Sequence, residues 1–111
     1  MTRVSDRILR EMVQVIVNEV DPEQVILFGS RASGTSSDDS DVDLVVVEST
    51  PFHRGRSRRR EMAHLWRVLA PFNVAKDILV YSSDEVERWR HSLNHVLARA
   101  RREGKVLYER P

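Results

Sequence analysis

The sequence predicts an α+β (α/β) domain, in which a small mixed β-sheet is flanked by helices. Three observations lead to this prediction. In several segments apolar residues recur at helical spacing, and serines stand where such helices would begin. Short and almost wholly apolar runs, of the kind that form buried strands, lie between these segments. The two patterns alternate along the chain, which is typical of helices packed on a sheet.

The first half of the chain predicts one helix followed by two strands. Ser5 to Val20 places an apolar stripe along a helix whose first residue is the expected N-cap, and Asp21-Pro22 ends it. Val25 to Phe28 is a continuous apolar run that stops at a turn signal, Gly29. Asp41 to Val47 first alternates and then becomes wholly apolar. We therefore expect its aspartate end at the rim of the sheet and its valine end inside.

The second half predicts further helices, one more internal strand and a short closing element. Trp66 and Trp89 lie on helical patterns and are expected to anchor the core. In order, we predict a helix over Ser57 to Ala70, a strand over Val74 to Tyr81, a helix with Ser83 as its N-cap, a helical continuation over Ser92 to Arg102, and a last strand or docked tail over Val106 to Tyr108.

Length and composition exclude several classes of protein. The 111 residues are enough for one modest core, so we expect a single domain over residues 1–111. Lys+Arg (18) nearly balances Asp+Glu (17), which argues against a basic nucleic-acid binder. The absence of cysteine excludes disulfides and thiolate sites. With no apolar run long enough for a membrane span and no secretory signal, we expect a cytoplasmic protein that does not bind membranes.

The first chemical feature is the turn Gly29-Ser30-Arg31 after the first predicted strand. Glycine lacks a Cβ, so a ligand can approach the backbone closely. Backbone N–H groups at the start of a turn or short helix suit a phosphate. The serine adds a hydroxyl donor and the arginine adds a positive charge. Taken alone, this pattern is also that of an ordinary turn.

The second feature is the pair Asp41 and Asp43 at the mouth of a strand. Residues two apart on a strand project to the same face, roughly 6.6 Å apart along the chain. Two carboxylates about 5 Å apart repel by roughly 3 kcal/mol at an effective dielectric of about 20. A hard cation such as Mg²⁺ relieves that repulsion. The alternative is two solvated acids at a strand end.

The third feature is Asp77, which interrupts an otherwise apolar predicted strand. A carboxylate in such a place is costly unless it is paired, hydrogen-bonded or bound to a metal. If its strand lies beside that of Asp41 and Asp43, the three acids can form one cluster. The alternative is an edge position that faces water or an arginine.

Together these features resemble the minimal nucleotidyltransferases of the DNA polymerase β-like superfamily. The resemblance runs through LFGSRASG (Leu27 to Gly34), SDVDLVV (Ser40 to Val46) and the acid of DILV (Asp77 to Val80). The closing REGKVLYE (Arg102 to Glu109) is also similar to the end of these chains. Where the family turn often carries a second basic residue, this chain has Ser33. Phosphate binding would thus depend more on the first arginine of the turn and on the backbone.

The resemblance implies a polymerase β-like fold and the transfer of AMP from ATP to a hydroxyl group. By resemblance, Asp41, Asp43 and Asp77 would be the catalytic residues and the ligands of two Mg²⁺ ions. Gly29, Ser30 and Arg31 would bind the triphosphate. Minimal nucleotidyltransferases are paired with HEPN-domain toxins. The resemblance therefore implies an antitoxin that modifies a toxin hydroxyl, expected to be that of a tyrosine.

Two other functions stay open at this point. One is a binding antitoxin that neutralises its partner by contact, without catalysis. The other is a nucleic-acid-binding module, since the cluster Arg54 to Arg60 carries five arginines. The same cluster could also bind the triphosphate or an acidic partner, or its side chains could simply cover apolar surface.

Overall fold

The computed structural model describes residues 5–29, 41–89 and 103–111. Within them, three helices and four strands confirm the predicted α+β class with a mixed sheet. The predicted helix over Ser92 to Arg102 lies outside the described residues. The elements are α1 (Asp6–Val20), β1 (Gln24–Phe28), β2 (Val42–Glu48), α2 (Arg58–Val68), β3 (Lys76–Ser82), α3 (Ser83–Trp89) and β4 (Lys105–Glu109).

Serine N-caps begin the first two helices, and the prediction of Ser5 as the first of them is confirmed. Ser5 Oγ accepts a hydrogen bond from the backbone N–H of Ile8, and Ser57 Oγ accepts one from that of Arg60. Asp21 ends α1 in the left-handed conformation (φ 46°) and donates its N–H to the carbonyl of Val17. These bonds satisfy backbone groups that a helix end would otherwise leave without partners.

The start of α3 differs by one residue from the prediction. Ser83 is already helical, and its predecessor Ser82 stands at the N-cap position. Glu85 accepts hydrogen bonds from the backbone N–H (2.9 Å) and the hydroxyl (3.1 Å) of Ser82. A glutamate three residues after the cap that reaches back to the cap N–H is one half of a capping box. The sequence analysis assigned the N-cap to Ser83, the second of two consecutive serines. The hydrogen bonds of Glu85 with Ser82 put the cap one residue earlier.

The sheet has the strand order β3-β2-β1-β4. β1 pairs antiparallel with β2 and with β4, whereas β2 pairs parallel with β3. The parallel connection is made through α2, as parallel neighbours require a crossover. Of the two outcomes predicted for Val106 to Tyr108, a strand or a docked tail, the structure has the strand. No helix in the described ranges is long and apolar enough to cross a membrane.

Two apolar layers cover the two faces of the sheet. On one face, α1 and α2 bury Met12, Ile16, Leu65 and Leu69 against β1, β2 and β3. On the other face, α3 contributes Val86. That smaller cluster consists of the buried residues Ile26, Val45, Val47 and Val86, with Phe28, Leu79 and Tyr81 packed against them.

The prediction that both tryptophans anchor the core is wrong. Trp66 is 45% exposed and Trp89 is 39% exposed. Leu65 and Leu69 fill the space between α2 and the sheet, and the next helical position after Leu65 turns about 100° away from it. At the end of α3, Val86 takes the buried place instead of Trp89.

Candidate active site

Two of the candidate site residues, Asp43 and Asp77, lie in one row across the sheet. The register pairs Phe28 with Asp43 across β1 and β2, and Asp43 with Asp77 across β2 and β3. Neighbouring strands lie about 4.8 Å apart, so the two aspartates are direct neighbours. The conditional prediction that the strand of Asp77 lies beside that of Asp43 is confirmed.

The aspartates share the sheet face that carries the smaller apolar cluster. Val45 and Val47 belong to that cluster, and side chains alternate along a strand, so Asp43 projects to the same face. Asp77 shares it in the same way, two residues before Leu79. Asp41 directly precedes β2 and lies two residues before Asp43, at the same end of the sheet. Asp41 and Asp77 are exposed and Asp43 is half-buried, so this edge is open to a ligand in solution.

Gly29 brings its backbone against the Asp43 carboxylate. Its φ is +75°, a conformation that favours glycine. A Cβ built on this residue would stand 2.5 Å from Asp43 Oδ2 and 3.3 Å from Cγ. Any side chain here would therefore displace the carboxylate. Only glycine lets the turn after β1 lie this close to an aspartate.

The oxygen donors at this edge are of the type that Mg²⁺ prefers. Asp41, Asp43 and Asp77 could hold such an ion, because they share one end of two neighbouring strands and Gly29 leaves room beside them. In the residues that the structure describes, no three His, Cys, Asp or Glu side chains lie together as a ready-made metal cluster. Ser30 and Arg31, the other predicted phosphate ligands, lie outside the described residues.

A protein-family model described as "Polymerase beta, Nucleotidyltransferase" matches residues 10–111. The chain belongs to the polymerase β nucleotidyltransferase family. This confirms, for the family, the resemblance drawn from the glycine-serine turn and the three aspartates. No curated protein sequence matches the chain.

Solved structures confirm the fold of this nucleotidyltransferase. A protein described as a nucleotidyltransferase from Sulfolobus solfataricus is similar with a TM-score of 0.66 and 21% identity, over 94% of this chain and 79% of that one. The toxin–antitoxin pair MntA-HepT contains a similar chain, with a TM-score of 0.60, 14% identity, and 96% and 74% of the chains covered. A toxin–antitoxin structure with AMP-PNP has a TM-score of 0.55 and 17% identity, over 96% and 75%.

A second polar cluster lies at the opposite end of β2, and the sequence analysis missed it. Arg56 lies between Glu48 (2.9 Å) and Glu61 (3.2 Å), and the Glu48 side chain is only 5% exposed. Burial, reinforced by the neighbouring Glu61 and opposed by Arg56, raises the pKa of Glu48 from 4.5 to about 7. In the sequence, the signal for this polar cluster was a glutamate at the end of an apolar strand, followed by a loop that carries arginines.

A second arginine of the segment Arg54 to Arg60 lies at the same end of the sheet. Arg58 forms an ion pair with Glu85, and its guanidinium lies 5.3 Å from the Phe52 ring and 5.4 Å from the Tyr81 ring. Arg56 lies over Phe52 at 4.5 Å. Two of the five arginines from Arg54 to Arg60 therefore join the loop and α2 to the sheet. Arg54, Arg59 and Arg60 are exposed.

Proposed function

We propose that this chain is an antitoxin that transfers AMP from ATP to a hydroxyl of a HEPN-domain toxin, expected to be a tyrosine hydroxyl. One observation carries the proposal: in a chain of the nucleotidyltransferase family, Asp43 and Asp77 are register neighbours beside a glycine turn. Phosphoryl and nucleotidyl transfer depend mainly on positioning and charge neutralisation, and neighbouring carboxylates at an open sheet edge would supply both once cations are bound.

The proposed residue roles follow from the place of each side chain. Asp41 and Asp43 would hold both magnesium ions, and Asp77 would hold one of them and accept the proton of the attacking hydroxyl. The bond from that hydroxyl oxygen to the α-phosphorus would form as the bond to the leaving pyrophosphate breaks. The ions supply neutralisation of the triphosphate and of the attacking and leaving oxygens. The backbone of Gly29 approaches the site closely enough to bind the β- and γ-phosphates together with Ser30 and Arg31.

A toxin partner is supported by the kinds of protein that share the fold. The similar structures include the toxin–antitoxin pair MntA-HepT and a toxin–antitoxin structure with AMP-PNP, an ATP analogue. The sequence resemblance points to the same class of pair. A protein that consumes ATP to silence such a toxin would act in the cytoplasm.

The test is intact-mass measurement of the toxin partner after incubation with the chain, ATP and Mg²⁺. We expect the toxin to gain the mass of one or more AMP groups, and peptide mapping to place them on a hydroxyl side chain. The variant Asp43→Asn/Asp77→Asn should leave the mass unchanged. Asp6→Asn, an exposed acid at the start of α1, is the control and should behave like the wild type.

A different pattern would favour the binding antitoxin. In that case the toxin would be neutralised with no change in mass, and the double aspartate variant would neutralise it as well as the wild type. Such a result would contradict nucleotidyl transfer as the function of this chain.

A further inference from the structure

The solvent face of α2 carries an unusual set of side chains. Arg59, Arg60, Trp66 and Arg67 are all exposed. Arg59 and Trp66 are seven residues apart, as are Arg60 and Arg67, so each pair is stacked about two turns apart on the helix. The buried side of the helix carries Leu65 and Leu69. Arg60 and Arg67 lie roughly opposite that side, and Arg59 and Trp66 lie roughly a quarter turn from it. We call these four exposed residues the α2 stripe.

The positive charge of the stripe is not balanced within its own helix. The one acid of α2, Glu61, is turned toward Arg56 and bonded to it at 3.2 Å. Arg58, Arg59 and Arg60 occupy the first turn, where the helix dipole disfavours positive charge. The arrangement costs stability in the free protein. An anionic surface placed over the stripe would remove that cost.

Trp66 supplies an apolar anchor within the stripe. Lys76 Nζ lies 5.2 Å from the centroid of its ring and donates hydrogen bonds to the carbonyls of Phe72 and Val74, both at 3.1 Å. The lysine that contacts the ring is thereby fixed to the backbone, which favours a defined position of the indole. Tryptophan and arginine are the residue types enriched at the energetic centres of protein interfaces.

The stripe leads toward Asp41, Asp43 and Asp77, which we call the aspartate row. Lys76, which contacts Trp66, is the first residue of β3, and Asp77 follows it. The two side chains emerge on opposite faces of β3, and β3 is an edge strand of the described sheet. A protein that covers Trp66 and extends across this edge strand would bring its surface to Asp77.

We propose that the α2 stripe is the docking surface for the protein that accepts AMP, and that the partner presents acidic side chains around an apolar pocket for Trp66. This inference rests on the proposed function, because it identifies the surface that holds the acceptor. A protein fits this surface better than a nucleic acid does. The chain has a net charge of +1, and Arg56 and Arg58 are bound to glutamates of the same fold.

The test compares the charge-reversal variant Arg59→Glu/Arg60→Glu and the variant Trp66→Ala with the wild type. The dissociation constant is measured for the purified toxin partner at low and moderate salt, and AMP transfer is followed as a function of toxin concentration. The matched control is Arg7→Glu/Arg10→Glu, two exposed arginines of α1. Binding of ATP with Mg²⁺, read as a thermal shift, reports on the aspartate row separately.

We expect each stripe variant to bind the toxin at least about 10-fold more weakly. The KM for the toxin should rise while kcat and ATP binding stay unchanged. The charge-reversal variant should also lose most of the salt dependence of binding, and the α1 control should match the wild type. If toxin binding is weakened but no AMP is transferred by any form, the docking surface stands and the proposed function fails.

Three results would overturn the inference. Stripe variants that bind and modify the toxin like the wild type would exclude this surface while leaving the proposed function intact. A single-stranded RNA oligonucleotide that binds the wild type but not the charge-reversal variant, with toxin binding unaffected, would assign the stripe to nucleic acid. A toxin that does not bind the wild-type chain at all would contradict the docking surface and the proposed acceptor alike.

Discussion

The two ends of the β2–β3 ladder use carboxylates in opposite ways. At one end, Asp43 and Asp77 face each other in register near Asp41, and two of these three acids are exposed. At the other end, Glu48 is buried and bonded to Arg56.

We propose that the aspartates at the first end serve the reaction, whereas Glu48 at the second end serves the fold. Carboxylates held close together in water cost free energy through repulsion, and they persist where a cation is to be bound. The buried carboxylate of Glu48 is instead paired within the protein through one oxygen, which accepts a hydrogen bond from Arg56, and removing either partner leaves an uncompensated buried group. Neutralising the first end should abolish activity and spare stability, and breaking the second should do the reverse.

The largest expected effect is on activity at the aspartate end. Asp43→Asn/Asp77→Asn should lower the rate of AMP transfer by at least about 10³-fold, because the proposed ligands of the Mg²⁺ ions that neutralise the transferring group are lost. The free energy of unfolding should change by less than about 1 kcal/mol, because asparagine keeps the shape of aspartate and Asp77 is exposed. Initial rates and urea denaturation measure both quantities. A clear loss of stability would show that the aspartates are structural.

The next largest effect is on the free energy of unfolding and concerns the Glu48–Arg56 end of the β2–β3 ladder. Arg56→Met should lower the free energy of unfolding by about 3 kcal/mol, because Glu48 and Glu61 lose the cation between them. The control is Arg7→Met, which removes an exposed pair with Glu11 and should change stability by less than about 0.5 kcal/mol. Equal effects of the two variants in urea denaturation would contradict the structural role of Arg56.

Glu48 should make stability depend on pH. Its pKa is raised to about 7 in the folded chain from 4.5, so the folded state binds its proton more tightly. The stabilisation is full below about pH 4.5 and is lost as the pH rises through about 7, by about 3 kcal/mol in all. Glu48→Gln cannot titrate. The stability of this variant relative to the wild type should rise by that amount between pH 4.5 and 8, and a difference that stays constant with pH would refute the assignment.

The last prediction concerns Gly29, where the expected loss of stability is smaller than at the Glu48–Arg56 end. Gly29→Ala adds a Cβ where the backbone is left-handed and where Asp43 Oδ2 stands 2.5 Å away. We expect a loss of about 1–2 kcal/mol in the free energy of unfolding, from backbone strain. The displaced carboxylate should also cost about 10²-fold in AMP transfer. Normal activity in Gly29→Ala would show that the position of Asp43 is not critical.

Local patterns predicted most of the described fold. Apolar periodicity and serine caps located α1 and α2 within one or two residues, and apolar runs located β1, β2 and β3. The motifs predicted which side chains meet at the aspartate end, because parallel pairing of their strands is enough to bring them together. The metal and phosphate roles of those residues stay predictions, as does the single domain over residues 1–111.

What the sequence could not supply depends on contacts between distant segments. The burial of Glu48 beside Arg56 depends on how the loop after β2 folds back on the sheet. The exposure of Trp66 depends on which neighbouring residues already fill the core. The sequence analysis missed the buried pair of Glu48 and Arg56 and misjudged the exposure of Trp66. Composition identifies a residue as apolar or charged, but it does not determine which residues cover its side chain.

The most direct test of the difference between the two ends of the β2–β3 ladder is the thermal stabilisation of the chain by ATP with Mg²⁺. A ligand at 100 times its dissociation constant adds about 2.7 kcal/mol to the free energy of unfolding. The wild type and Arg56→Met should both gain such stabilisation, whatever their starting stability, and Asp43→Asn/Asp77→Asn should gain almost none. Equal stabilisation of the aspartate variant and the wild type would contradict the account, because the nucleotide and its metal would then bind elsewhere.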